Sequence, residues 1–97
     1  MNIFQFYKDQ FCDLLKENKY NCNYEKISVE PPKQTSFGDL AFNAPLILAA
    51  EFKKNPLEIG SEIAELIKKK FKEFENIDVA KPGFINLKLK NNFWISY

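Results

Sequence analysis

Between residues 76 and 90 the chain alternates apolar and polar side chains on both sides of Lys81-Pro82-Gly83. Ile77 and Val79 lead into that tripeptide. Ile85, Leu87 and Leu89 follow it at every second position, with Phe84, Asn86, Lys88 and Lys90 between them. A repeat of two is that of a β-strand, and a Pro-Gly turn between two such runs predicts a hairpin. One face of the second strand is wholly aliphatic and needs a covering layer. The other carries an aromatic, an amide and two ammonium groups. A lone hairpin is marginal in water, so the rest of the chain must supply more strands and a cover.

The remaining patterns supply both. Asn2 and Gln5 form a capping-box pair ahead of Phe4, Tyr7, Phe11 and Leu14, which recur at helical spacing to about Glu17. Residues 24–30 alternate, with Ile27 and Val29 on one side, and predict a half-buried strand that Pro31-Pro32 ends. Residues 33–37 read as loop, Gly38-Asp39 as a turn and 40–42 as a short extended piece. Asn43 is placed to cap a second, almost wholly apolar helix with Pro45 in its first turn. Asn55, Pro56 and Glu58 form the strongest helix start in the chain. The third helix then carries Ile59, Ile63, Ile67, Phe71 and Phe74 along one side, with Gly60 placed for close packing against a neighbour. The predicted fold is α+β: a two-layer domain, a mostly antiparallel four-stranded sheet with three helices on one side.

Composition narrows the chemistry. The 97 residues suffice for one domain, and 45% hydrophobic content suffices for a core without metal or disulfide. There is no His, which removes the commonest general base and zinc ligand, and the three glycines fit no phosphate-binding loop. No metal site and no catalytic residue is expected. Cys12 and Cys22 read as reduced thiols of a cytoplasmic protein. The longest uncharged stretch, residues 40–50, is too short for a membrane span, so no membrane partner is expected. All fourteen basic residues are Lys, and the net charge of +1 argues against a bulk electrostatic grip on nucleic acid while leaving room for a local site.

Most charged motifs have a structural explanation. Lys68, Lys69, Lys70 and Lys72 end a helix that begins with Glu58, Glu62 and Glu65, an order that complements the helix dipole. Asp39 beside Gly38 suits a turn whose side chain collects backbone N–H groups. The open face of the last strand is the exception. Phe84 beside Asn86, Lys88 and Lys90 is the set an RNA-binding sheet uses: a ring to stack a base, an amide to read its edge, lysines for phosphates. Packing of Phe84 under the Lys81–Gly83 turn, or against another domain, is the competing structural explanation.

Taken together, Pro32-Lys33, Gly38-Asp39-Leu40-Ala41-Phe42-Asn43-Ala44, Asn55-Pro56 with Ile63-Ala64, and residues 79–87, Val-Ala-Lys-Pro-Gly-Phe-Ile-Asn-Leu, resemble the N-terminal additional domain of arginyl-tRNA synthetase. The resemblance covers nearly the whole chain in order. It implies a domain that precedes a class I catalytic domain and contacts the tRNA D-loop at the outer corner of the tRNA. It places Phe84 and Asn86 near a D-loop base, with Lys81 a further contact at a position where the family usually has Gly or Asn. Lys88 and Lys90 complete the candidate tRNA-binding set. Gly38, Asp39, Asn43 and Gly83 are carried over as structural.

The family's His-Ile-Gly-His and Lys-Met-Ser-Lys signatures do not occur in this sequence. The resemblance therefore implies that ATP and Mg2+ serve a parent arginine–tRNA ligase rather than these residues, and that the partners are tRNA and the enzyme's own catalytic domain. Asn92 and the run Phe93-Trp94-Ile95 read as the start of a further helix, which divides the chain into a domain at 1–91 and the beginning of a linker at 92–97. Two rivals stand beside the tRNA reading: a structural brace for the catalytic core, and a protein-interaction module without RNA contact.

Overall fold

The computed structural model describes residues 3–32 and 38–90. The expected cap at Asn2, the loop at 33–37, and the division at 91/92 with its helix start at Asn92 lie outside the described residues. Helix α1 spans Ile3–Glu17, strand β1 Val29–Glu30, β2 Leu40–Phe42, α2 Ala44–Phe52, α3 Pro56–Lys70, β3 Phe74–Ala80 and β4 Phe84–Leu89. The strands form one sheet in the order β1-β2-β4-β3, every neighbouring pair antiparallel. Ile85, Leu87 and Leu89 are fully buried in the same apolar cluster as Tyr7 and Phe11 of α1, Leu48 of α2, and Ile59, Ile63 and Ile67 of α3. The fold is thus α+β, with helices covering one face of a four-stranded sheet.

An aromatic group anchors that core. The Phe11 and Phe42 ring centroids stand 4.7 Å apart, and Tyr7 lies 5.3 Å from Phe74. The Tyr7 hydroxyl donates to the Glu73 carboxylate at 2.9 Å, so the one polar atom of a fully buried ring is satisfied at the edge of the core. Asn55 caps α3 as expected, its Oδ1 accepting from the Leu57 N–H at 2.8 Å. Gly60 is the close approach anticipated, since a β-carbon there would stand 2.6 Å from a methyl of Val79 on β3.

Three expectations need correction. The strand expected over 24–30 is only Val29–Glu30. Residues Tyr24–Lys26 form a 3-10 turn because Asn23 accepts the Glu25 N–H at 3.1 Å, a local bond that competes with the ladder. Ile27 and Val29 are buried all the same. Phe71 and Phe74 are not helical. The helix ends at Lys70, Phe71 is extended, and Phe74 opens β3, with an irregularity in the pairing between Phe74 and Asn76. Both rings still reach the core from outside the helix.

The third correction concerns Asn43. It stands at the N-cap position of α2, yet its side chain makes no capping bond. Instead its Oδ1 accepts the Ser28 N–H at 2.7 Å and its Nδ2 donates to the Lys26 carbonyl at 3.0 Å. Together with the Asn43 N–H, which donates to the Ser28 carbonyl at 3.3 Å, the amide ties the segment before β1 to the start of α2.

Candidate functional site

Register fixes which side chains share the outer face of the sheet. Asn86 pairs with Ala41 on β2 and Asp78 on β3, Phe84 pairs with Ala80, and Ala41 pairs with Glu30 on β1. Strand side chains alternate, so all of these lie opposite buried Ile85, Leu87 and Leu89. Phe84 and Asn86 are half-buried and Asp78 is exposed. The period-two reading of β4 therefore holds, and both candidates stand on the face the helices leave open.

This face is concave. A depression of about 550 Å³ is lined by Phe84, Asn86, Asp78, Ala41 and Ala80, with Pro31, Pro32 and Pro82 among its apolar walls. The two alanines leave space beside the Phe84 ring. Neither the Asn86 amide nor the Asp78 carboxylate has a hydrogen-bond or ion-pair partner among the described residues. An aromatic plane, an amide and a carboxylate with free capacity thus surround one apolar hollow. That arrangement suits a flat heteroaromatic group: the ring stacks it and the polar atoms read its edge.

Two glycine positions hold β4 in place. Gly38 has φ +126°, and a β-carbon there would meet the Leu87 carbonyl oxygen at 2.6 Å. Next to it, the Asp39 N–H donates to that same oxygen at 2.8 Å, and Asp39 Oδ2 accepts the Leu89 N–H at 2.9 Å. The Asp39 side chain thus collects a backbone N–H, not of its own turn but of Leu89 on β4. At the other end, buried Gly83 receives the Leu46 N–H on its carbonyl at 3.0 Å, and a β-carbon there would press on Leu46 and Pro56 at 3.0 Å. The hairpin turn is docked on the starts of α2 and α3, which sets Phe84, the next residue, beside the hollow.

The structure separates the lysines. Lys81, exposed in the turn, lines the hollow with Phe84 and Asn86. Lys88 lies toward the far end of β4 and Lys90 just past it, and Lys88 is four residues from Phe84, roughly 13 Å along a strand. Lys88 Nζ stands 3.7 Å from the Glu75 carboxylate, with both side chains about half exposed at 50% and 53%. A pair so exposed contributes at most about 1 kcal/mol, so it leaves Lys88 able to exchange partners. The site residues beyond those expected from sequence are Asp78, Ala41, Ala80 and Glu30. Asp78 alternates with Ile77 and Val79 and so carries a face signal, but its place beside Asn86 is set by a pairing between strands.

A second concavity, about 660 Å³, lies at the α2–α3 corner among Lys53, Lys54, Asn55, Glu58, Ser61 and Glu62. Its lysines and glutamates oppose one another, and Asn55 is already used as the helix cap. The outer sheet face remains the better candidate.

The chain is similar to known proteins over most of its length. The family model described as "Arginyl tRNA synthetase N terminal domain" matches residues 5–89. Over 85 residues the chain is 41% identical to an arginine–tRNA ligase of Brucella suis, and equally so to those of Brucella ovis and Brucella canis. These matches cover 88% of this chain and 14% of the length of each relative.

Proposed function

This chain belongs to the arginyl tRNA synthetase N-terminal domain family, and from that premise we propose that it is the tRNA-recognition domain of an arginine–tRNA ligase, contacting the D-loop at the outer corner of the tRNA. The observation that carries the reading is the open face of β4, where the Phe84 ring and the Asn86 amide, unpartnered among the described residues, border one hollow. A loop base, free of pairing, stacks on Phe84 and offers its edge to Asn86. Lys81 meets a phosphate at one end of the strand, and Lys88 and Lys90 meet the backbone at the other.

The parent ligase joins arginine to its tRNA with ATP and Mg2+ in the cytoplasm, and the domain serves it by holding the tRNA against the catalytic domain. The chain's own part is binding. With a net charge of +1 it makes few phosphate contacts, so its affinity for tRNA on its own is modest. A domain acting only as a brace gives the opposite result in one experiment: the tRNA affinity of a Phe84→Ala variant. Loss of affinity with the fold intact supports recognition. Unchanged affinity supports the brace.

A further inference from the structure

We infer that Asp78 is a specificity-determining residue of this face, and that its carboxylate selects a base carrying an amino group (adenine, cytosine or guanine) over uracil. The inference rests on the tRNA reading above. Asp78 is the antiparallel partner of Asn86 and lines the same hollow as Phe84. It is exposed, and no ion pair or hydrogen bond engages its carboxylate among the described residues. Glu30 lies in the same cross-strand row, beyond Ala41 from Asn86.

A carboxylate repels a phosphate, so Asp78 opposes RNA backbone at its own part of the hollow, while Lys81 attracts it at the turn end. An ionised carboxylate is acceptor-only, whereas Asn86 both donates and accepts. The amino groups of cytosine, adenine and guanine supply N–H donors to Asp78. Uracil presents carbonyl oxygens flanking its single imino N–H, and an oxygen set against the carboxylate is repelled. Asp78 thus acts by accepting from the right base and by repelling the wrong one, the two routes by which a site discriminates.

Charge gives the test a distinctive sign. Removing a negative group from a surface that faces RNA strengthens binding through electrostatics alone. A loss of affinity on removing Asp78 therefore reports a direct contact. The experiment measures binding of arginine tRNA transcripts, varied to A, C, G or U at each unpaired D-loop position in turn, to the unaltered protein and to its Asp78→Ala, Asp78→Asn and Phe84→Ala variants, with circular dichroism as a check on folding. At one position the unaltered protein is expected to bind the uracil transcript about tenfold more weakly than the best amino-bearing one. Asp78→Ala and Asp78→Asn are expected to erase that gap, weakening the amino-bearing transcript while the uracil transcript binds equally or better.

A gap that survives both substitutions, a uniform loss across all four bases, or no gap in the unaltered protein overturns the role of Asp78. In each of those cases a large loss in Phe84→Ala leaves the underlying tRNA reading standing. If Phe84→Ala binds every transcript like the unaltered protein, the reading of this face as a base site falls, and Asp78 falls with it.

Discussion

The α-carbon of Gly38 lies against the main chain of Leu87, so close that a β-carbon on Gly38 would stand 2.6 Å from the Leu87 carbonyl oxygen. The same oxygen accepts the Asp39 N–H at 2.8 Å. The contact ties the entry of β2 to the middle of β4 and so fixes the strand that carries Phe84 and Asn86. Gly38→Ala adds both a steric clash and a side chain at φ +126°. Strain of this kind costs about 1–3 kcal/mol, and loss of the neighbouring hydrogen bond about 1 kcal/mol more. A urea melt of the variant is expected to show a midpoint well below that of the unaltered protein, and an unchanged midpoint would contradict the close approach.

Asn43 gives a sharper prediction because two roles lead to opposite results. As a helix cap, Asn and Asp are nearly equivalent. Here, however, Asn43 donates to the Lys26 carbonyl as well as accepting from Ser28. Asn43→Asp keeps the acceptor, loses the donor and sets a carboxylate against a carbonyl oxygen. The expected cost is about 1–3 kcal/mol in a denaturant melt. A variant as stable as the unaltered protein would restore the capping role.

The two faces of β4 are expected to separate cleanly in stability measurements. Ile85 is 0% exposed, and Ile85→Ala should cost about 2–5 kcal/mol as a core truncation. Phe84→Ala removes a half-buried ring from the outer face and should cost within about 1 kcal/mol. The reverse order in paired denaturant melts would mean that the strand faces the other way.

That division was legible because period two needs only one strand and a turn, and Pro82-Gly83 supplies the turn. The end of α3 was not. Ile59, Ile63, Ile67, Phe71 and Phe74 keep helical spacing, yet the last two reach the same core after the chain has become extended. Spacing records which residues become buried and does not record where the helix stops. Residues 24–26 are similar, since the Asn23 cap bond outweighs an alternating pattern. Asp78 lies beyond a one-dimensional reading for another reason. Its neighbour in the site, Asn86, is set by strand register, a non-local property.

The cysteines test the packing at the other side of the molecule. Burial pushes the Cys12 thiol above its usual 9.0, with Lys8 and Lys16 partly opposing the shift. Burial also raises Cys22, and the neighbouring Cys12 and Glu51 add to it. Fewer thiolates form at a given pH, so iodoacetamide at pH 8 is expected to react with both more slowly than with a free cysteine, and at the ordinary rate once denaturant is added. The linkage has a definite sign. The unfolded chain loses these protons first, so the stability these thiols contribute is fully present below pH 9.0 and falls as pH rises from there through the folded-state values. A denaturation midpoint that rose with pH in that range would contradict the burial of these thiols.

The proposed tRNA site holds a base on Phe84 at the outer face of β4. Its most direct test is the dissociation constant of arginine tRNA for the Phe84→Ala variant, set beside the unaltered protein at one fixed salt concentration. Loss of a base–aromatic stack is worth roughly 1–3 kcal/mol, a weakening of about 5- to 150-fold. A loss in that range with an unchanged circular dichroism spectrum is expected, and equal affinity of the two proteins would contradict a base held on Phe84.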